Sequence, residues 1–213
     1  MIEFLSNLCD PAWLMQHGGL YIVVGIIFAE TGLFAGFFLP GDTLLFIAGI
    51  LLAHDSYPFS YELMNVSYWL FLIMAAGIAG NYVGYWFGWK SGGVLLERRD
   101  TWLFKKKYLL KAKAFYETRG GGAIVAARFL PLVRTFAPII AGMVQMDIRK
   151  FSLYNIVGSI AWVASIVLAG YFLGNIPSVK HNLEYIIVGI VLCTTLPVLL
   201  KVVRIKKIQT AKK

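Results

Sequence analysis

Four ionisable side chains stand in stretches otherwise too apolar to hold them. Glu30 lies in Phe28-Ala29-Glu30-Thr31-Gly32, and Asp42 closes Leu39-Pro40-Gly41-Asp42. Arg128 and Arg134 bracket Arg128-Phe129-Leu130-Pro131-Leu132-Val133-Arg134, with Pro138 beyond. A carboxylate in a low-dielectric site requires a nearby cation or a proton, so Glu30 reads as a proton carrier or a counter-ion. Asp42 has a further option, N-capping a helix that begins at Thr43 after the Pro40-Gly41 turn. Arginine keeps its charge at physiological pH, and its planar fork grips phosphate through paired hydrogen bonds. Two acids and two bases also balance, which allows a purely structural network pairing them one to one. The readings are compatible: a ligand phosphate can displace a carboxylate from its arginine as that carboxylate takes up a proton.

The surroundings must bring these groups together. Residues six apart on one helix point about 240° apart, so a break at Pro131 is what would let the two guanidinium groups converge. In this 213-residue chain 59% of residues are AVILMFWYC and only 15% are charged, against roughly 45–50% apolar in globular chains. Mean hydropathy is +0.71. That excludes a cytoplasmic globular enzyme, a disordered regulator and a secreted disulfide scaffold. Cys9 and Cys193 lie far apart and suggest neither a disulfide framework nor a metal site, and no cofactor is implied. Residues 66–89 and 152–176 carry no ionisable side chain except tyrosine and are expected to span the bilayer. A third span is expected at 184–203, lengthened by snorkelling of Lys201, followed by a basic tail at 204–213. Residues 1–18 read as an interfacial helix broken at Pro11, not as a signal peptide.

Residues 20–53 behave differently. One helix of 34 residues would extend about 51 Å, well beyond a hydrocarbon core of roughly 30 Å, and Pro40-Gly41 divides it. Residues 121–146 hold Arg128, Pro131, Arg134 and Pro138. Each charge facing lipid costs about 2.5–3.5 kcal/mol or more, and broken backbone survives at membrane depth only inside protein or along a water-filled cavity. Both regions are therefore expected to be re-entrant helical hairpins. Each ends in an Ala-Gly pair, Ala48-Gly49 or Ala141-Gly142. Each is followed by a span closing on GYxxG, Gly84-Tyr85-Trp86-Phe87-Gly88 or Gly170-Tyr171-Phe172-Leu173-Gly174.

Charge sets the orientation. The 90–119 stretch has nine Lys/Arg against three acids, the tail from Lys201 has six and no acid, and residues 1–19 and 54–67 have no Lys or Arg. The positive-inside rule places 91–120, a basic amphipathic segment, and the C-terminus in the cytoplasm, with the 54–67 loop outside. The net charge of +9 thus reads as topology and anionic-lipid contact, not nucleic-acid binding. The two units, 19–90 and 121–176, would then run in opposite directions, an inverted repeat of the kind secondary transporters use around a midplane site. His17, His54 and His181 fall at segment ends and read as interfacial. Asn81 and Asn155 read as bonds between helices, with Asn81 alternatively lining a cavity.

The Glu30-Thr31-Gly32 and Pro40-Gly41-Asp42 patterns, GYxxG, and Arg128-x-x-Pro131-x-x-Arg134 together resemble the DedA family of bacterial inner-membrane proteins, also called the SNARE-associated or VTT-domain group. The resemblance runs from about Leu20 to Gly174. It implies a translocase or scramblase of phospholipid-like molecules, with functional acids at Glu30 and Asp42 and functional arginines at Arg128 and Arg134, tied to the proton-motive force. The expectation is an all-α polytopic membrane protein, an inverted repeat of re-entrant hairpin plus transmembrane helix with an added C-terminal span, in the bacterial inner membrane. Its expected work is translocating a lipid phosphate, undecaprenyl phosphate first among them, with phosphatidylethanolamine or another phospholipid as the alternative cargo. Arg128 and Arg134 would bind phosphate, and Glu30 and Asp42 would carry protons or act as counter-ions. Pro40, Gly41, Pro131 and Pro138 would break the hairpins. A non-transporting structural factor for envelope integrity is the rival from another class. Enzymatic activity is not expected, because no histidine lies near Arg128. Gly-rich faces leave homo-oligomer packing open.

Overall fold

The computed structural model describes residues 19–32, 41–53, 58–97, 116 and 122–176. The interfacial segment at 1–18, most of the basic stretch, the span at 184–203, Pro40 and the three histidines lie outside them. The described residues form six helices and no strand: α1 Leu20–Gly32, α2 Gly41–Leu52, α3 Glu62–Glu97, α4 Gly122–Ala127, α5 Pro131–Met143 and α6 Ile148–Gly174. Two are long and apolar enough to cross a membrane, 31 residues of α3 (Glu62–Gly92) and all 27 of α6 (Ile148–Gly174). Only 39% and 33% of their most apolar windows is buried, so the remaining apolar surface, Phe71, Leu153 and Phe172 included, suits a hydrocarbon solvent and not water.

Local chemistry explains the helix ends. Leu130 is extended (φ −110, ψ 108), as a residue preceding proline tends to be. Pro131 then opens α5 at a position whose N–H has no intrahelical acceptor. Asp147 caps α6, accepting the amides of Arg149 at 2.8 Å and Lys150 at 3.0 Å. The Lys150 and Arg149 amides hold the Asp147 carboxyl below its usual range. The cap's contribution is therefore complete at neutral pH and fades as acid protonates it. Both long helices extend past the sequence-based ranges at their basic ends, α3 through Lys90 and α6 back to Ile148. Charged side chains there can reach toward an interface, so they do not stop the helix.

α3 and α6 run antiparallel. The Tyr171 hydroxyl near the end of α6 donates to Glu62 at the start of α3, Asn81 pairs with Asn155 at 2.9 Å, and Tyr85 stacks on Phe151 at 4.5 Å. The short helices pack by exchange. α1 lies on α3 and α4 on α6, each against the long helix of its own unit, whereas α2 lies on α6 and α5 on α3. Gly49 meets the backbone at Val167, Gly170 and Tyr171, and Gly142 meets that at Tyr85 and Trp89. Each Ala-Gly pair thus docks on the GYxxG of the other unit, an approach that side chains would block. The larger apolar core joins Ile27, Leu44, Trp69, Ile73, Trp162 and Val167 from α1, α2, α3 and α6.

Pro138 departs from the expected hairpin break. It lies inside α5, which continues past it. Proline removes one backbone donor, and its ring side faces Gly84 of α3, where packing supports the turn. The interruption falls instead at residues 128–130, between α4 and α5.

Candidate functional site

Arg134 occupies the first turn of α5, three residues after Pro131. Its two terminal nitrogens donate separately, one to the Glu30 carboxylate from α1 and one to the Asp42 carboxylate from α2. Asp42 also accepts the Trp162 indole N–H at 3.0 Å. The guanidinium of Arg134 stands 4.9 Å from the centre of the Trp162 ring, within cation–π range. Glu30 is 1% exposed and Arg134 9%, while Asp42 keeps 26% of its surface.

This arrangement corrects the one-to-one network. Both acids engage Arg134, and among the described residues none pairs with Arg128. Arg128 follows α4 in the interrupted segment, is 4% exposed, and donates to the Asn155 side-chain oxygen at 2.5 Å. Asn81 donates to that same oxygen at 2.9 Å, and the Asn155 amide donates to the Ile78 carbonyl at 3.2 Å. The pair expected to join two helices does so, and it also holds a cation. Arg128 lies 6.0 Å from the Trp162 ring, so the break before Pro131 brings both guanidinium groups to one indole. Formal charge sums to zero over the four residues, but unevenly: one negative charge in excess around Arg134, one positive charge at Arg128.

The N-cap reading of Asp42 is also corrected. α2 begins at Gly41, and the Asp42 carboxylate is directed to Arg134 and Trp162 because a buried guanidinium is a stronger partner than a backbone amide. Gly41 has a function beyond the turn: a Cβ there would collide with the Glu30 carboxylate. Gly158 has the same relation to Arg128, since a Cβ would lie 2.9 Å from its Cδ. Four buried polar atoms, Glu30 Oε2, Arg128 Nε, Arg134 Nε and Ser159 Oγ, have no hydrogen-bond partner among the described residues. Such atoms are uncommon in folded proteins and mark places where a further group can bind. Among the described residues no three His, Cys, Asp or Glu side chains form a metal-binding group.

Sequence reasoning missed Trp162. Tryptophan in membrane helices concentrates at the interfaces, and Trp162 lies midway along α6, which was the available signal.

The VTT domain model matches residues 39–172. The chain is 42% identical over 211 residues to "Protein DedA" of Escherichia coli, covering 97% of this chain and 94% of that protein. It is 37% identical over 210 residues to "Uncharacterized membrane protein Rv0364" of Mycobacterium tuberculosis, covering 96% and 90%. Against "Inner membrane protein YghB" of Escherichia coli it is 31% identical over 162 residues, covering 76% and 71%. No solved structure matches.

Proposed function

The chain belongs to the VTT-domain family, the group of the DedA membrane proteins, and on that footing we propose that it is a proton-linked translocase of a lipid phosphate in the bacterial inner membrane. Undecaprenyl phosphate, returned across the membrane for envelope synthesis, is the cargo we favour. The observation that supports this most is a buried cation clamped by two carboxylates beside a second buried cation that has no acid among the described residues.

In this reading the two short-helix pairs, 20–53 and 121–146, are re-entrant hairpins of an inverted repeat. The exchanged packing of α2 and α5 and the antiparallel long helices support it. Antiparallel packing brings the Lys90 end of α3 and the Arg149–Lys150 end of α6 to one side, which we assign to the cytoplasm. Arg128 and Arg134 take the phosphate while its tail remains in lipid. Removing one partner of a buried ion pair without replacement costs about 3–5 kcal/mol, so a carboxylate leaves Arg134 only as a proton reaches that carboxylate and a phosphate oxygen reaches the guanidinium. One charge crossing 100 mV supplies about 2.3 kcal/mol, comparable to that cost.

The test is reconstitution into proteoliposomes with undecaprenyl phosphate, with and without an imposed pH gradient. Wild type should translocate the lipid faster than Arg134→Ala, and equal rates would reject the reading. A structural role is the second reading, favoured by the engagement of both Arg134 terminal nitrogens with carboxylates. It predicts that Arg134 variants lose activity only as far as they unfold. A phospholipid headgroup offers the same phosphate oxygens, and parallel vesicles carrying labelled phosphatidylethanolamine separate the two cargoes.

A further inference from the structure

Ser159 is fully buried in α6, and its hydroxyl has no partner among the described residues. That is unusual for a helical hydroxyl in apolar surroundings, which can always bond back to the preceding turn. Thr31, Ser67 and Ser152 each do so, donating to the carbonyls of Ile27, Leu63 and Ile148 at 2.7 Å, and Ser165 donates to that of Trp162 at 2.9 Å. Ser159 makes no such bond. Its neighbours on the helix explain what it shares. At steps of 100°, Asn155, Ser159 and Trp162 occupy one face of α6, and the first and last of these touch or stack on Arg128. Gly158, beside Ser159, leaves room for the Arg128 side chain itself. The Nε–H of Arg128 is unpartnered as well. Ser159 thus lies about one turn from each of the two residues that meet Arg128, so an unpartnered hydroxyl and an unpartnered guanidinium N–H belong to the same buried face of α6. The hydroxyl can accept from such an N–H, but its own hydrogen then still needs an acceptor, and an oxyanion can accept from both groups.

We propose that Arg128, Ser159 and the Asn155 that holds Arg128 form a seat for the phosphomonoester of a single-chain lipid, distinct from the acid-clamped Arg134. The inference rests on the lipid-phosphate reading above and deepens it by dividing the two arginines. Arg128 is the resident anion receptor, while Arg134 becomes available only when a carboxylate releases it. Ser159 contacts the phosphate, and Asn155 is a positioning residue acting through Arg128.

Two substitutions separate this seat from a structural role. Ser159→Ala deletes an unsatisfied buried hydroxyl, so the apparent melting temperature should stay the same or rise, yet affinity for the anion should fall. Asn155→Asp keeps the oxygen that Arg128 and Asn81 address but gives Arg128 the carboxylate it lacks, filling the seat from within. The measurement is calorimetric titration of the full-length protein in maltoside detergent with dodecyl phosphate and, separately, with inorganic phosphate. Expected are binding of dodecyl phosphate by wild type, a loss of roughly tenfold in Ser159→Ala and more in Asn155→Asp, and much weaker binding of inorganic phosphate, with Ser159→Ala melting at or above wild type. If both variants bind within twofold of wild type while Arg134→Ala does not bind, the seat is overturned and the lipid-phosphate reading stands. Absence of binding by wild type overturns both. A lower melting temperature in Ser159→Ala would reveal a structural partner for the hydroxyl and overturn the seat, and equal affinity for inorganic phosphate would overturn its lipid assignment.

Discussion

Among the described residues, Arg134 is the one side chain that links α1, α2 and α5 by charge. Its removal leaves the buried Glu30 and the partly exposed Asp42 with no cation between them, so Arg134→Ala is expected to lower stability by about 3–5 kcal/mol, measured as a drop in thermal or denaturant midpoint in detergent. Neutralising the acids in the same chain, with Glu30→Gln and Asp42→Asn, should recover most of that loss without recovering translocation. Gly41→Ala makes a finer cut. Its new Cβ meets only the end of the flexible Glu30 side chain, so the carboxylate should swing off Arg134 while the backbone stays in place. The expected result is translocation reduced at least tenfold, with a melting shift smaller than that of Arg134→Ala because Arg134 keeps Asp42. The four charged residues were legible in the sequence because an ion in an apolar stretch stands out. Their pairing was not, because charge balance fixes a sum and not a geometry. Arg134 reaches both acids because it lies in the first turn of the helix that Pro131 opens, whereas Arg128 lies within the break and turns to Asn155. Trp162 escaped notice because an aromatic residue in an apolar span offers no contrast of composition, only one of depth along the helix.

Glycine seams set how close the helices come. Along α3, Gly80 faces Gly32 of α1, and Gly88 and Gly92 press on the α5 backbone at Ile139 and Met143. On α6, Gly170 presses on that of Phe46 in α2. Backbone cannot yield as a side chain can, so Gly88→Val and Gly170→Val are each expected to cost about 1–3 kcal/mol or more through overpacking, with a matching fall in midpoint. Gly25 is the control. Nothing lies within 4 Å of a Cβ there, and Gly25→Ala should stabilise α1 by about 0.5–1 kcal/mol. The repeated Ala-Gly and GYxxG motifs were readable as a repeat, and the helices containing them were readable from apolar length. What the motifs could not disclose is that each docks on its counterpart in the other unit, because a short motif states the shape of a surface and not the identity of its partner. Pro138 misled for a related reason: a proline ends a free helix, but α5 is held along α3 from Pro138 through Met143.

The two long helices give the molecule a basic end, with Lys90, Arg149 and Lys150, and an opposite end marked by the Tyr171–Glu62 bond. The orientation we assign can be read by labelling cells with a membrane-impermeant maleimide, in a chain whose Cys9 and Cys193 have been changed to alanine. Ser60→Cys should react in intact cells, and Asp147→Cys only after permeabilisation. The reverse pattern would turn the protein over.

Exchange between the units also has a consequence for synthesis. Glu30 and Arg134 are 104 residues apart, an interval that takes a ribosome roughly 5–20 s at 5–20 residues per second. For that time the first unit has two acidic groups without the arginine they will bind, and α2 lacks α6, the surface on which it finally rests. The early half is therefore expected to stay beside the insertion channel, or to hold its acids protonated, until translation has delivered Gly174. Nascent chains arrested before that point should be prime targets for membrane proteases.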